Sequence, residues 1–393
     1  MRVIYLNPFS QEVSGPDESL RALLADLIPR GLEAHVVLPA PGPQVSRYEA
    51  LGAQVHFAPL AILRRDVSIA TAVYPGRLAR SVWALRKLAR RLGADLIHTN
   101  MEVVLDGGLA ARALGLPHVL HYRGNTMDRP KPVFDALTAV WTRTADRIFC
   151  ISNATAEIFR RRGYDERIEV LYNPIDLSRF RPGAASTELR AALGAGPDDL
   201  LIGTVGRIHP RKDLETFIRA AAQVSQSVRR ARFVIVGAAE AAVEVAYAAR
   251  LESLVREVGL TGKLMFAGAR RNVPDVMRAL DLFVLTSRHE GFGRVIAEAM
   301  ATARPIVASN EGAPPELLER GRFGLCAAPQ DAEDFARQIL DLLAVPERAV
   351  AMGTAAAAAA GQFEASHIGG RVWERYQSLT SFRRSDAPTA PAP

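Results

Sequence analysis

Several things are scarce in this chain, and each scarcity removes a class of protein. Cysteine occurs twice in 393 residues, as Cys150 and Cys326, in apolar strand-like runs far apart. Two such residues make neither a disulfide framework nor a metal spacing, so both are expected in a core, which fits a reducing, cytoplasmic compartment. No apolar run approaches the roughly 18–20 residues that span a bilayer. The opening "MRVIYLNPFS" has no basic region and no small-residue cleavage site, so it reads as a first buried strand rather than a signal peptide. No GxxxxGK[ST] loop, no convincing GxGxxG and no Asp-x-Asp metal signature occurs, which leaves triphosphate and dinucleotide binding without direct support.

What is present is an ordinary globular composition, 49% hydrophobic and 23% charged, on a chain long enough for two domains. Short β-rich runs alternate with helical patterns throughout. "RVIYLNP", "EAHVVLP", "DLIHTN", "PHVLHYR", "RIFCIS" and "RIEVLYN" form one series; "LLIGTVGR", "RFVIVGA", "KLMFAGA", "LDLFVLTS" and "RPIVAS" form another. Near-continuous apolar strands separated by helices such as Ser19–Leu27, Leu214–Val224 and Val295–Ala301 predict parallel sheets covered by helices. The fold class is therefore α/β, with two Rossmann-like doubly wound domains. Pro174, Pro182 and Gly183 in "YNPIDLSRFRPGAA" mark the join. The expected division is 1–175 for the first domain, 176–365 for the second, 366–384 for a terminal helix that crosses back to the first, and 385–393 for a Pro- and Ala-rich disordered tail.

The formal charge is +7, and residues 1–181 carry +6 of it. Arg64, Arg65, Arg77, Arg80, Arg86, Lys87, Arg90 and Arg91 crowd a short region with one acid, Asp66. In "PGRLARSVWALRKLARRLG" the residues Leu78, Val82, Leu85, Ala89 and Leu92 recur at helical spacing, with bases around the other side. This is either a solvated face or a surface for anionic lipid or a charged acceptor. No recognised nucleic-acid motif accompanies it, so nucleic acid is not an expected partner.

Ligands of open α/β sheets bind beyond the carboxyl ends of the strands. There "TVGRIHPRKDLETF" puts Arg207 after a buried strand and Lys212 at the start of the next helix, where two cations can converge on a diphosphate. "SRHEGFGRVIAEAM" is a loop and helix after another strand. Gly291 and Gly293 allow a close turn with exposed amides; Glu290 can accept bonds from sugar hydroxyls, and Glu298 can take two adjacent hydroxyls, as on a ribose.

The stretch "SRHEGFGRVIAEAMATARPIVASNEGAPPEL" resembles the donor-site signature of the retaining glycosyltransferases of family four (group 1 type), and "VGRIHPRK" resembles their diphosphate-binding Arg and Lys. "ISNATAEIF", "VLYNPID" and "FVIVG" follow the same order. The resemblance implies a GT-B fold, its two domains facing across a cleft, and transfer of a hexose-type sugar from a nucleoside diphosphate sugar to a hydroxyl acceptor, a glycan or glycolipid of a bacterial envelope. A UDP-sugar is favoured over a GDP-sugar. By the same resemblance Arg207 and Lys212 neutralise the leaving diphosphate, and Glu290 with the amides of Gly291, Phe292 and Gly293 holds the sugar. Glu298 binds the ribose, backbone near Arg294 and Val295 the distal phosphate, and the loop around Arg270 and Val273 the base; of the family's first-domain Gly-Gly loop, here Ser14-Gly15-Pro16, only Gly15 carries over as a donor-binding residue. No metal or other cofactor is implied, and a location at the inner membrane face is compatible with the charge. The pattern is not complete. The family's Lys-Gly is here Lys212-Asp213, its later Gly-Gly is Gly312-Ala313, and a glycine before "PIVAS" is replaced by Ala303 and Arg304. A cleft histidine of many relatives corresponds to Arg123, with His121 two residues earlier; the resemblance implies that one of them touches sugar or acceptor, Arg123 ahead of His121. Rivals are an epimerase or phosphorylase on the same fold and a catalytically silent sugar-nucleotide-binding protein.

Overall fold

A computed structural model of the chain describes residues 1–11, 14–63, 73–124 and 130–385, with side chains to 381. Arg64, Arg65 and Asp66 of the basic stretch and the tail from residue 386 lie outside the described residues. The chain divides into two units, Met1–Pro174 with the chain from Ala365, and Ile175–Glu364.

The first unit is built on a parallel sheet of β1 (Arg2–Leu6), β2 (Glu33–Leu38), β3 (Gln54–Phe57), β4 (Leu96–Thr99), β5 (His118–Tyr122), β6 (Arg147–Cys150) and β7 (Ile168–Val170), in the order β3-β2-β1-β4-β5-β6-β7. Its central strands are buried on both faces, which is why they read as continuous apolar runs. The edge strand β3 is not apparent from the sequence, because its four residues are exposed or only half-buried. The terminal helix Ala365–Ser385 packs on Gly15–Leu27 of this unit, with Ile368, Val372 and Tyr376 joining the core of Tyr5, Leu20, Leu24 and Phe149.

The second unit has a parallel sheet of β8 (Leu200–Val205), β9 (Ala231–Val236), β10 (Leu264–Gly268), β11 (Leu282–Leu285), β12 (Ile306–Ser309) and β13 (Leu325–Ala327), ordered β10-β9-β8-β11-β12-β13. Strand order reverses between β8 and β11, as it does between β1 and β4 in the first unit. A crevice opens at such a switch point, so the loops after β8 and β11 are where a ligand is best held. Both cysteines lie on strands, Cys150 on β6 and Cys326 on β13, and burial pushes both thiols up, Cys326 to about 11.

Candidate active site

The loops after β8, β11 and β12 are tied together by their own backbone. Arg288 donates its amide to the Arg211 carbonyl at 3.0 Å, and the Thr286 hydroxyl donates to the Lys212 carbonyl at 3.0 Å. The Ala313 amide donates to the Glu290 carbonyl at 2.9 Å. Gly312 has φ +80°, and a Cβ there would lie 2.3 Å from the Glu290 oxygen, so a side chain is excluded on two counts. Ala313, where the family has its second glycine, has an ordinary φ of −83°. That departure costs nothing.

These contacts bring together two residues 78 apart in sequence: Lys212 Nζ donates to Glu290 Oε1 at 2.5 Å. Lys212 closes a 3₁₀ turn, Pro210–Lys212, two residues before the helix Leu214–Ser227, rather than standing within that helix. The Glu290 side chain is only 15% exposed. Burial pushes its pKa up, but the charge of Lys212 and the hydrogen bond from it outweigh that, and the net direction is down. The carboxylate expected to receive sugar hydroxyls is thus held ionised by the cation expected to receive phosphate.

Arg207 follows the same rule with a partner that sequence reasoning missed. Its Nε lies 3.2 Å from Glu244 Oε1; the arginine is about half exposed and the glutamate only 3% exposed. Glu244 also accepts the backbone amides of Glu240 and Ala241, capping the helix Ala242–Glu257. Its position as N3 is a cap signature, but the N-cap is Ala241 and no Ser or Thr announces it. Arg207 and Lys212 sit close enough to His209 that both cations add to the burial that lowers its pKa. The strand ends meet here too: a Cβ on Gly237 would lie 1.8 Å from the Gly206 oxygen, and the Gly237 amide donates to Gly268 at 3.0 Å.

Gly293, at φ +77°, is the N-cap of the helix Arg294–Ala301. Phe292 points into the core, 2% exposed and edge-on to Phe363, leaving only its backbone for a ligand. Glu298 is 8% exposed, with Arg294 one turn earlier at 3.7 Å; Val295 is half-buried beside them. Arg270 is exposed and bonds the Ala267 carbonyl, and Val273 opens the helix Val273–Ala279. Both follow β10, Arg270 in the loop after it and Val273 at the first position of the next helix.

In the first unit Gly15 begins the helix Gly15–Leu27, whose N-cap Ser14 donates its amide to Asp17 at 2.8 Å. Arg123, 6% exposed, is held from several sides. It donates from Nε to the Asn100 carbonyl at 3.2 Å, from Nη2 to Asn100 Oδ1 at 2.7 Å, and from Nη1 to Asn173. His121 points instead into the core on β5, ringed by His98 and Phe149, and burial drives its pKa well down. Neither ring nitrogen of His121 has a hydrogen-bond partner among the described residues. Among the described residues no group of three or more His, Cys, Asp or Glu is placed to hold a metal ion.

Comparison with known proteins identifies the family and the fold. Residues 185–359 match the family described as glycosyl transferases group 1, and residues 13–179 match glycosyltransferase family 4. A lipopolysaccharide core biosynthesis mannosyltransferase of Rhizobium meliloti (strain 1021) is 31% identical over 65% of this chain and 67% of its own. A GDP-mannose-dependent alpha-mannosyltransferase of Mycobacterium tuberculosis (strain CDC 1551 / Oshkosh) is 29% identical over 82% of each. The solved structure of Anabaena HepE in complex with UDP-glucose has TM-score 0.81 at 25% identity, covering 96% of this chain and 100% of that one. The chain belongs to glycosyltransferase family four, in its group 1 type, and carries the GT-B fold.

Proposed function

We propose that the protein is a retaining hexosyltransferase that takes a sugar from a nucleoside diphosphate, with UDP favoured over GDP, and places it on a hydroxyl of an envelope glycan or glycolipid. One observation carries this reading: the Lys212–Glu290 pair at the switch point of the second sheet. A diphosphate brings two or more negative charges, enough to draw Lys212 away from Glu290. The carboxylate so released can accept sugar hydroxyls, each charge-assisted bond contributing about 1.5–3 kcal/mol. Arg207, braced by Glu244, adds a second cation. As the sugar–phosphate bond breaks, negative charge grows on the leaving diphosphate, and fixed cations stabilise it without reorganising. No metal is required for that step, and no protein nucleophile: the departing phosphate oxygen takes the acceptor proton on the same face of the sugar. Glu290 positions the sugar, which is itself a large source of rate.

The UDP reading draws on HepE, solved with UDP-glucose; the GDP reading draws on the GDP-mannose-dependent relative. Calorimetric titration of UDP, GDP and their sugar conjugates decides between them. Micromolar binding of one nucleotide, weakened by about 1.5–3 kcal/mol in Glu298→Ala, names the base and establishes the ribose contact. Turnover without acceptor to an epimerised sugar nucleotide, turnover only with inorganic phosphate, or binding without any transfer would each replace this reading with one of its rivals. The anomeric configuration of the product, read by proton NMR, tests retention.

A further inference from the structure

The helix Tyr74–Leu92 of the first unit carries six bases and no acid. Its buried side is short: Ser81, Leu85, Leu88 and Ala89, with Ser81 bonded to Asp106 and the others packed with Ile97 and Ala110. The opposite side exposes Arg77, Arg80, Trp83, Lys87, Arg90 and Arg91. At steps of three and four residues these form one stripe, about 21 Å long at 1.5 Å per residue. None of its bases has an ion pair with a described residue. In the middle stands Trp83, 63% exposed, with the Lys87 ammonium 5.6 Å from its ring centroid. A solvated face accounts for the bases but not for a large aromatic left in water among them. The combination suits an interface where lipid phosphates meet the cations and an indole ring settles at headgroup level.

We infer that this stripe docks the enzyme on an anionic phospholipid bilayer, Trp83 entering the headgroup region and the bases pairing with phosphate. The inference deepens the glycolipid reading above by naming the surface on which the acceptor is met, and it can fail without that reading failing. Charge complementarity chooses the occupant, because the stripe has no carboxylate to repel or orient a phosphate-bearing surface. Among the described residues no single helix is long and apolar enough to cross a membrane, so attachment of this kind is reversible and salt-sensitive.

The test is vesicle flotation of the full chain with phosphatidylcholine alone and with a 3:1 mixture of phosphatidylcholine and phosphatidylglycerol, at about 0.1 and 0.5 M salt. Wild type should float only with the anionic vesicles, and high salt should strip most of it. Removing charge in Arg80→Gln/Lys87→Gln should weaken partitioning about 25-fold, near fivefold per base. Trp83→Ala should weaken it about tenfold and remove the vesicle-dependent blue shift in tryptophan emission; Trp141 is 2% exposed and Trp373 is half-buried against the first-unit core, so both remain as a background shared by wild type and variant. Melting temperature and nucleotide titration should be unchanged in both variants, which separates lost docking from lost folding. Wild type remaining unbound, equal binding to neutral vesicles, or variants floating like wild type would overturn the inference. So would binding of heparin or RNA with the same variant pattern but no binding to vesicles. If vesicles bind while no nucleotide does, the donor reading fails and the docking surface stands.

Discussion

Each unit presents an arginine just beyond the carboxyl end of a central strand, Arg207 after β8 and Arg123 after β5, and the two are held in opposite ways. Arg207 is about half exposed, with its Nε 3.2 Å from Glu244 Oε1. Arg123 is buried in a continuous polar chain: Asp17 accepts from Asn7, Asn7 from Asn100, and Asn100 and Asn173 from Arg123. The members of that chain are all at most 6% exposed. A half-exposed cation can reach a phosphate without disturbing what surrounds it, whereas a buried network must keep its partners or lose stability. The second unit is therefore arranged to trade partners, and the first unit's network to hold its loops in place.

The largest effect should come from Lys212→Ala. Transfer should fall about 10³-fold, near 4 kcal/mol of transition-state stabilisation, with a much smaller change in melting temperature. Glu290→Gln should lose activity through the sugar side and retain nucleotide affinity. If Lys212→Ala instead unfolds the protein at unchanged specific activity, the pair is a structural strut and the contrast with Arg123 disappears.

Arg123→Leu should reverse the pattern, costing about 3 kcal/mol of stability because Asn100 and Asn173 lose a charged donor in a buried site. Urea denaturation measures it. Arg123→Lys is the sharper variant: normal melting with lost transfer would make Arg123 a substrate contact, as the family resemblance implies, and would erase the distinction between the units.

Acid separates the units in another way. His98, His118 and His121 are buried in the first unit, and burial lowers all three, His118 to about 4. His118 is held by Thr99 at 2.9 Å and the Thr144 carbonyl at 3.0 Å. An unfolded histidine takes up its proton near pH 6.5, so between that and about pH 4 the unfolded chain binds more protons. Stability is then full above pH 6.5 and falls as pH drops, for His118 by on the order of 2 kcal/mol by pH 5. Thermal melts across that range should slope downward toward acid, and His121→Phe should flatten the slope. A flat profile in wild type would mean these rings are not held neutral.

How much of this was legible in the sequence depends on distance along the chain. Buried strands announce themselves as apolar runs, and Arg207, Lys212, Glu290 and Glu298 sit in loops whose glycines mark close turns. The pairings do not announce themselves. Lys212 meets Glu290 only because three loops bond to one another, and Glu244 comes from a helix start with no Ser or Thr to signal it. The Asp17–Asn173 network joins residues after β1, β4, β5 and β7, each unremarkable alone. The edge strand β3 escaped because its residues are exposed or half-buried and make no apolar run, and β13 was marked only by the apolar surroundings of Cys326.

The smallest effect addresses two of the places where glycine is missing from the family pattern. Asp213 and Ala303 both adopt left-handed backbone, φ +50° and +57°, which explains why glycine suits each. They are not equivalent. Asp213 accepts the Thr216 hydroxyl at 2.7 Å and lies 3.5 Å from Arg288, so its carboxylate offsets the strain and Asp213→Gly should gain nothing. Ala303 has only a methyl group to offer, and its carbonyl lies against Gly353, where a Cβ would approach to 2.5 Å. Ala303→Gly should therefore raise stability by about 0.5–1 kcal/mol with transfer unchanged, measured by paired melts of the two variants. Equal gains at both positions would show that the Asp213 carboxylate contributes nothing to the fold, leaving its pairing with Arg288 as a feature of the donor loop alone.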